Sequence, residues 1–191
     1  ATRTAPAYIA PPRKEQPALP TGRLDADKAC AIVSALLPEN CIVCDESVSS
    51  GRSFYYDCHS APQHDYIQLT GGAIGEGIPL AVGAAVACPD RKVIGMQADG
   101  SGMYTVQGLW TQARENLDVV TVVFANRTYQ ILHGEMRAVG VNDFGKNATQ
   151  RLNLDQPALD WVAMAKSMGV EAGRATTAEE FTRLFKGALS R

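Results

Sequence analysis

Two runs of this sequence, Lys92-Val93-Ile94-Gly95-Met96-Gln97 and Val119-Val120-Thr121-Val122-Val123-Phe124-Ala125, are too apolar for strands with a solvent-facing side. They read as strands buried on both faces of a sheet. Between them, Ser101 to Glu115 has the length and spacing of a helix, with Met103, Val106, Leu109 and Trp110 on one side. Strand, helix, strand in that order demands a parallel pair joined by a crossover. Further strands near Cys41 and Tyr66, and a short last one at Val170-Glu171-Ala172, continue the alternation. The expected fold is α/β, a three-layer α/β/α arrangement with a mostly parallel central sheet.

The first polar residues after the two apolar runs are Asp99, in Ala98-Asp99-Gly100-Ser101, and Asn126, before Arg127-Thr128-Tyr129. In an open parallel sheet, ligands sit beyond the carboxyl ends of the strands, where side chains of adjacent strands converge. A helix starting just after Asp99 points free backbone N–H groups into the same crevice, which favours an anion there. Mg²⁺ takes six oxygens in octahedral array and keeps water and substrate phosphate among them. The Asp99 carboxylate, the Asn126 amide oxygen and a backbone carbonyl from Thr128 supply three, and a diphosphate and a water the others. Read alone, Asp99 also suits a helix cap and Asn126 a strand-end turn.

Upstream, Thr70-Gly71-Gly72-Ala73-Ile74-Gly75-Glu76-Gly77-Ile78-Pro79 is a glycine-rich turn leading into a helix of very small residues, with Pro79 in its first turn. Glycines let backbone approach a flat ligand closely, and a Gly/Ala-rich helix packs backbone-close against another element. A third patch, Asp45-Glu46-Ser47-Val48-Ser49-Ser50, follows the short strand Cys41 to Cys44. The stretch Gly72-Ala73-Ile74-Gly75-Glu76-Gly77 has the glycine spacing of a dinucleotide fingerprint reversed, and no Gly-Lys-Ser/Thr of a Walker loop occurs.

These three patches, in this order, resemble the thiamine diphosphate (ThDP) enzymes, in which Gly-Asp-Gly is followed after a helix-length spacer by Asn-Asn. Here Ala98 stands for the first glycine and Ala125 for the first asparagine, while both side-chain metal ligands remain. The likeness covers Leu24 to Ser190 and implies the pyrophosphate-binding domain, the last of three. It implies Asp99, Asn126 and Thr128 on Mg²⁺; Ser49, Gly100 and Ser101 on the diphosphate; and Tyr129 also at the cofactor. It puts the Gly72 carbonyl on the amino group of the pyrimidine, and Ile74 under the cofactor, where a bulky apolar side chain enforces a bent form. Ser49 by itself reads equally as a helix cap. The early side chains of the helix from Tyr129 face the substrate by the same likeness, naming Ile131, Leu132 and Glu135. Leu132 occupies the position of a catalytic glutamate in the pyruvate decarboxylase branch. Leucine there, as in the benzoylformate decarboxylase branch, implies an apolar substrate wall, with core packing the alternative for Ile131 and Leu132.

Composition fits one compact domain with an extended leader. The chain has 191 residues, 46% of them hydrophobic, enough to bury a real core. A formal charge of −2, from 18 basic and 20 acidic residues without clusters, gives no field for nucleic acid. No apolar run reaches membrane-spanning length and no signal-peptide pattern opens the chain, so the expectation is no membrane and a cytoplasmic location. Five scattered cysteines, Cys30, Cys41, Cys44, Cys58 and Cys88, read as reduced thiols. Cys41 and Cys44 form a C-x-x-C, but positions three apart on a strand face opposite sides and no second ligand pair completes a zinc site. Of His59, His64 and His133, only His133 lies near the expected metal loop. Residues 1–23 are proline-rich without hydrophobic periodicity and read as an interdomain linker; 24–191 read as the folded domain. Asp25 is expected to cap a first helix, a further helix is expected to close at Gly169, Gly140 to Leu154 looks irregular, and Thr177 to Glu180 has capping-box spacing.

The resemblance also implies what the chain lacks. The glutamate that protonates the pyrimidine ring belongs to a pyrimidine-binding domain, so no catalytic residue is assigned here. That domain is expected in another part of a longer chain or in another subunit, within a homodimer or homotetramer. The expected activity is ThDP- and Mg²⁺-dependent decarboxylation or carboligation of a small 2-oxo acid, closest to acetolactate synthase large subunits, with benzoylformate decarboxylase next. Flavin (FAD), carried by true acetolactate synthases, binds mainly outside this domain. The competing reading is a non-catalytic binding or assembly domain that has kept the fold.

Overall fold

The computed structural model describes residues 17–191, in which helices and strands alternate as far as Phe124 and helices alone follow. In chain order the elements are α1 (Ala26–Leu36), β1 (Ile42–Glu46), α2 (Phe54–Asp57), β2 (Asp65–Gln68), α3 (Gly77–Ala87), β3 (Val93–Ala98) and α4 (Asp99–Gly102). There follow α5 (Gly108–Arg114), β4 (Val119–Phe124), α6 (Gln130–Ala138), α7 (Lys146–Leu152), α8 (Trp161–Ser167) and α9 (Ala178–Leu189). The four strands form one sheet in the order β2-β1-β3-β4, with every neighbouring pair parallel.

Side chains alternate across the sheet, as period-two geometry requires. Val43, Ile94, Met96, Val122 and Phe124 point to one face and pack with Ala29, Cys30 and Val33 of α1, Phe54 of α2 and Phe185 of α9. Ile42, Cys44 and Val93 point to the other, against Ala81 and Ala85 of α3. A third group, Ile78, Leu109, Trp161 and Ala165, ties α3, α5 and α8 together. Each fully buried Ile, Val or Phe contributes about 1.5–3 kcal/mol relative to exposure, so both covered faces hold the sheet. The expected three layers are therefore present. Helix ends follow the sequence too: Asp25 accepts the Lys28 N–H at 2.8 Å, and Thr177 and Glu180 form a reciprocal capping box.

Several elements differ from the sequence reading. The helix expected over Ser101 to Glu115 is broken into α4 and α5, and Met103 and Trp110 are exposed while Leu109 is buried. The break follows from two close approaches. A Cβ on Gly102 would come within 2.7 Å of the Trp161 ring, and one on Gly108 within 2.6 Å of Ile78. Packing against α8 and α3 thus sets this segment's path rather than its own helical spacing. β1 runs on to Glu46, two residues beyond Cys44. The segment Gly140 to Leu154 contains α7. Val170 to Ala172 is not a strand: no ladder pairs it, and the Val170 N–H is used by the Ala165 carbonyl at the end of α8.

The residues read as linker lie outside the described ones up to position 16. From Pro17 the chain is non-helical and is pinned at the start of α9. Gly22 N–H donates to Glu179 at 2.9 Å, Ala178 N–H donates to the Gly22 carbonyl at 2.8 Å, and Lys28 Nζ donates to the carbonyls of Thr21 and Arg23.

The C-x-x-C splits as strand geometry requires: Cys41 belongs to the α1 side of the sheet and Cys44 to the α3 side. Burial pushes the Cys30 and Cys41 thiols up to about 11 and the Cys44 thiol up to about 12. Thiolate, the reactive form, is therefore scarce at neutral pH. In the native chain these three cysteines are expected to resist a thiol reagent such as DTNB at neutral pH and to react fully on addition of denaturant. Fast labelling of any of the three in the folded chain, read by mass spectrometry, would contradict the packing described.

Candidate functional site

Register decides what meets at the carboxyl edge of the sheet. Glu46 pairs with Gln97 across β1 and β3, and Ala98 with Phe124 across β3 and β4. The chain therefore leaves these strands, at Ser47, Asp99 and Ala125, within one residue of the same level. Asp99 opens α4 and is only 2% exposed. Its Oδ1 accepts the Gly100 N–H at 2.9 Å, and its Oδ2 accepts the Arg127 N–H at 2.6 Å, from the β4–α6 loop. That bond brings the two loops together. Ala98, where the family pattern has glycine, lies in extended backbone (φ −76°, ψ 147°) open to any residue, so alanine is accommodated without strain.

Asn126 is oriented at both ends of its carboxamide. Oδ1 accepts the Thr128 N–H at 3.0 Å, a turn that asparagine forms readily, and Nδ2 donates to Ser50 Oγ at 3.2 Å in the β1–α2 loop. Arg127 and Val48, on facing loops, both adopt left-handed backbone (φ 60° and 51°). For a β-branched residue such as Val48 this costs on the order of 1–3 kcal/mol and persists only where surroundings over-determine it. Thr128 Oγ1 donates to the Leu152 carbonyl and meets His133 Nε2 at 3.0 Å. The Tyr129 N–H is used by the same Leu152 carbonyl, and its ring lies so close over Gly100 that a Cβ there would be 2.6 Å away. Gly100 is therefore required by contact, not by backbone conformation.

The glycine-rich turn approaches from the neighbouring strand end. Gly71, Gly72 and Gly75 all have positive φ, and no atom stands within 4 Å of a Cβ built on Gly71 or Gly72. The Gly72 carbonyl accepts the Ile74 N–H at 2.8 Å, and Ile74 is 52% exposed. Ser101 is turned inward: its hydroxyl accepts from Gln97 Nε2 at 2.7 Å and donates to the Ala98 carbonyl at 3.3 Å. Its side chain is thus spoken for, leaving only its backbone for a ligand.

Ser49 is half-buried and, with Arg52, lines a cavity of about 420 Å³ whose opposite wall is Gln130, Ile131, Gly134 and Glu135 of α6. Two of the three expected substrate-lining residues, Ile131 and Glu135, are therefore in it. Leu132, 45% exposed, is not among its lining residues.

Burial raises the Asp99 pKa above the usual aspartate value, against the lowering effect of the N–H groups of Arg127 and Gly100. No ion pair reaches it among the described residues. A desolvated carboxylate bonded to the loop that carries an asparagine carboxamide offers hard oxygen donors, of the kind that suits Mg²⁺ rather than a soft metal. Nor do the described residues hold a cluster of three His, Cys, Asp or Glu side chains, the usual mark of a zinc or iron centre. The open backbone at Gly71 and Gly72 leaves room for a flat ring to come close to that turn. The residues present thus fit a metal diphosphate with an aromatic tail.

Sequence reasoning missed Glu46 and Gln97, both fully buried and polar at adjacent strand ends, and Arg52, Gln130 and Gly134 of the cavity. A signal for Glu46 was available: two successive carboxylates, Asp45 and Glu46, follow the apolar run Cys41 to Cys44, and the neighbouring apolar run carries a glutamine, Gln97, near its end.

A family model described as "Thiamine pyrophosphate enzyme, C-terminal TPP binding domain" matches residues 50–191. Along its whole length the chain is 49% identical to an acetolactate synthase large subunit-like protein of Mycobacterium tuberculosis, IlvX, covering 37% of that protein. It is 34% identical over 88% of its length to a benzoylformate decarboxylase of Pseudomonas aeruginosa, covering 31% of it. Among solved structures, the thiamine diphosphate-dependent 4-hydroxybenzoylformate decarboxylase of Rhodococcus jostii RHA1 superposes with a TM-score of 0.79 at 31% identity, over 100% of this chain and 34% of that one. The chain thus spans about a third of the length of these relatives.

Because the Asp99 pKa is raised on folding, its protonated form is the stabilising one. Its contribution is fully present below the unfolded-state pKa and is lost as pH rises through the folded-state pKa. In metal-free buffer, the wild-type chain is therefore expected to lose stability relative to Asp99→Asn as pH rises across the carboxylate range. Urea unfolding at a series of pH values checks this, and a wild type that gains on the variant would show the sign to be wrong.

Proposed function

This chain belongs to the thiamine pyrophosphate enzymes, and from that membership we propose that it supplies the Mg²⁺–diphosphate half of a thiamine diphosphate site in an enzyme that cleaves a C–C bond beside a 2-oxo group. The observation that carries the reading is the Asp99 carboxylate bonded to the Arg127 N–H, which ties the end of β3 to the β4–α6 loop that carries Asn126.

In this reading Asp99, the Asn126 amide oxygen and the Thr128 carbonyl hold Mg²⁺. Gly100, the Ser101 backbone and Ser49 take the diphosphate, while Tyr129 closes over Gly100 and fixes the turn. Gly72 and Ile74 take the pyrimidine end, Ile74 being the exposed apolar side chain of that turn. When bound, thiamine diphosphate supplies an electron sink for the bond that breaks. The chain's own residues do the positioning: a buried carboxylate on the cation, backbone on the anion, and glycines where a ring must come close. Ile131 gives the cavity an apolar wall, and Arg52, Gln130 and Glu135 give it polar groups for a small 2-oxo acid. The group that starts the chemistry lies on a pyrimidine-binding domain, in the remainder of a longer chain or in a partner subunit of a cytoplasmic homodimer or homotetramer. Any FAD would sit mainly outside these residues.

Likeness along this whole chain, 49% identical, to a third or so of the acetolactate synthase large subunit-like relative supports carboligation. The fit to a 4-hydroxybenzoylformate decarboxylase along the entire chain supports simple decarboxylation as the second reading.

Titration calorimetry of thiamine diphosphate into the full chain tests the cofactor site. Binding is expected with Mg²⁺, absent with EDTA, and weaker by at least about tenfold in Asp99→Ala, since loss of one charged contact is worth a factor of ten or more. Binding that ignores EDTA, or none even with the pyrimidine-binding domain restored, would sink the reading. With that domain present, the product decides between the two activities, since CO₂ leaves in both: a carboligase joins the remaining acyl unit of pyruvate to a second 2-oxo acid, whereas a decarboxylase releases the free aldehyde. A lack of turnover of both pyruvate and benzoylformate supports the non-catalytic reading.

A further inference from the structure

Glu46 is the last residue of β1 and is 1% exposed, yet no cation reaches it among the described residues. An uncompensated buried carboxylate is costly, so what satisfies it identifies its role. Three N–H donors do. Oε1 accepts the Gly75 N–H; Oε2 accepts the Gly77 N–H at 2.7 Å and Gln97 Nε2 at 3.0 Å. Two of the three come from the glycine-rich turn, and the third from the strand that leads into Asp99.

The fit is tight enough to dictate sequence. A Cβ on Gly77 would stand 2.8 Å from Glu46 Oε2 and 2.4 Å from Gln97 Oε1, so glycine is what lets the carboxylate come this near. Gly75, at φ +92°, is clamped from both sides, its N–H by Glu46 and its carbonyl by Thr105 Oγ1 at 2.7 Å. Just before it the turn is open: nothing stands near Gly71 or Gly72, and Ile74 points out. The base of the turn is thus held by side chains from β1 and from Thr105, while its tip is bonded within the turn itself and to Glu76.

We propose that Glu46 is a positioning residue for the ring end of the cofactor. Its carboxylate fixes the base of the glycine-rich turn so that Gly72 and Ile74 stand at a set height above the Asp99 end of the crevice. Glu46 touches neither cofactor nor substrate and acts through the turn. This rests on the cofactor reading given above. Charge-assisted bonds to backbone N–H groups are about twice as strong as neutral ones, which suits a carboxylate better than an amide for the task. In Glu46→Gln the new amide nitrogen faces donors where an acceptor is needed, while size and shape are kept.

The experiment uses the full chain and three measurements. Amide hydrogen exchange by NMR, without ligand, reads the turn directly. Calorimetry with thiamine diphosphate plus Mg²⁺ reads both ends of the site, and calorimetry with inorganic diphosphate plus Mg²⁺ reads the anion end alone. In Glu46→Gln, exchange at Gly75 and Gly77 is expected to quicken about tenfold and thiamine diphosphate to bind about tenfold more weakly, with affinity for inorganic diphosphate changed by less than about threefold. Thr105→Val, which frees the other side of Gly75, is expected to shift the same readings in the same direction, and decides the matter if Glu46→Gln does not fold. Unchanged exchange and affinity, or equal loss for both ligands, would overturn the positioning role and leave the cofactor site standing. A wild-type chain that binds neither ligand would overturn the cofactor reading and this role with it.

Discussion

Parallel pairing in one register is the constraint on which the rest of this molecule depends. Ile42, Val93 and Val119 lie level at the start of β1, β3 and β4, and the strands run on together to Glu46, Gln97 and Val123. A slip of one residue in either ladder would turn every side chain to the opposite face. Glu46 and Gln97 would then no longer meet, and Asp99 would lose the Arg127 N–H. The covered faces enforce the register, because Ile94 and Met96 must enter one core while Val93 enters the other.

Three buried carboxylates, Asp45, Glu46 and Asp99, stand at that edge, and Glu46 and Asp99 are treated differently. Glu46 is met by three donors that belong to fixed backbone and a fixed glutamine. Asp99 is met by two backbone N–H groups, and burial still outweighs them. The first is a finished structural joint; the second is a charge left short of partners. In the proposed site, Asp99 is the carboxylate available to a cation and Glu46 the one that fixes backbone around it.

The sequence made the architecture legible because its strongest signals are local. Continuous apolar runs, Asp25, and the Thr177–Glu180 spacing are each readable within a few residues, and each corresponds to an element or a cap. Asp99 and Asn126 were legible as the first polar residues after buried strands. What was not legible depends on partners far away in the chain. The break between α4 and α5 is set by Trp161 and Ile78, and the inward turn of the Ser101 hydroxyl by Gln97. Val170 to Ala172 has strand composition, yet its first N–H closes α8 and the segment packs beside Trp161 and Leu109 instead. Leu132 has the pattern of a lining residue, but the cavity is bounded by the neighbouring Gln130, Ile131, Gly134 and Glu135.

Helix α3 carries a further consequence. It is apolar nearly all round, with Ala81 and Ala85 on the sheet, Ile78 against α5 and α8, and Pro79, Gly83, Val86 and Ala87 facing outward. Most of that outward face has no rotamers to lose: glycine, alanine and proline give up no side-chain entropy when covered, and valine gives up little. A surface laid against it meets a wall that is already ordered. Most of the free energy released by desolvating that wall would remain as net attraction, without the ordering loss that longer side chains impose.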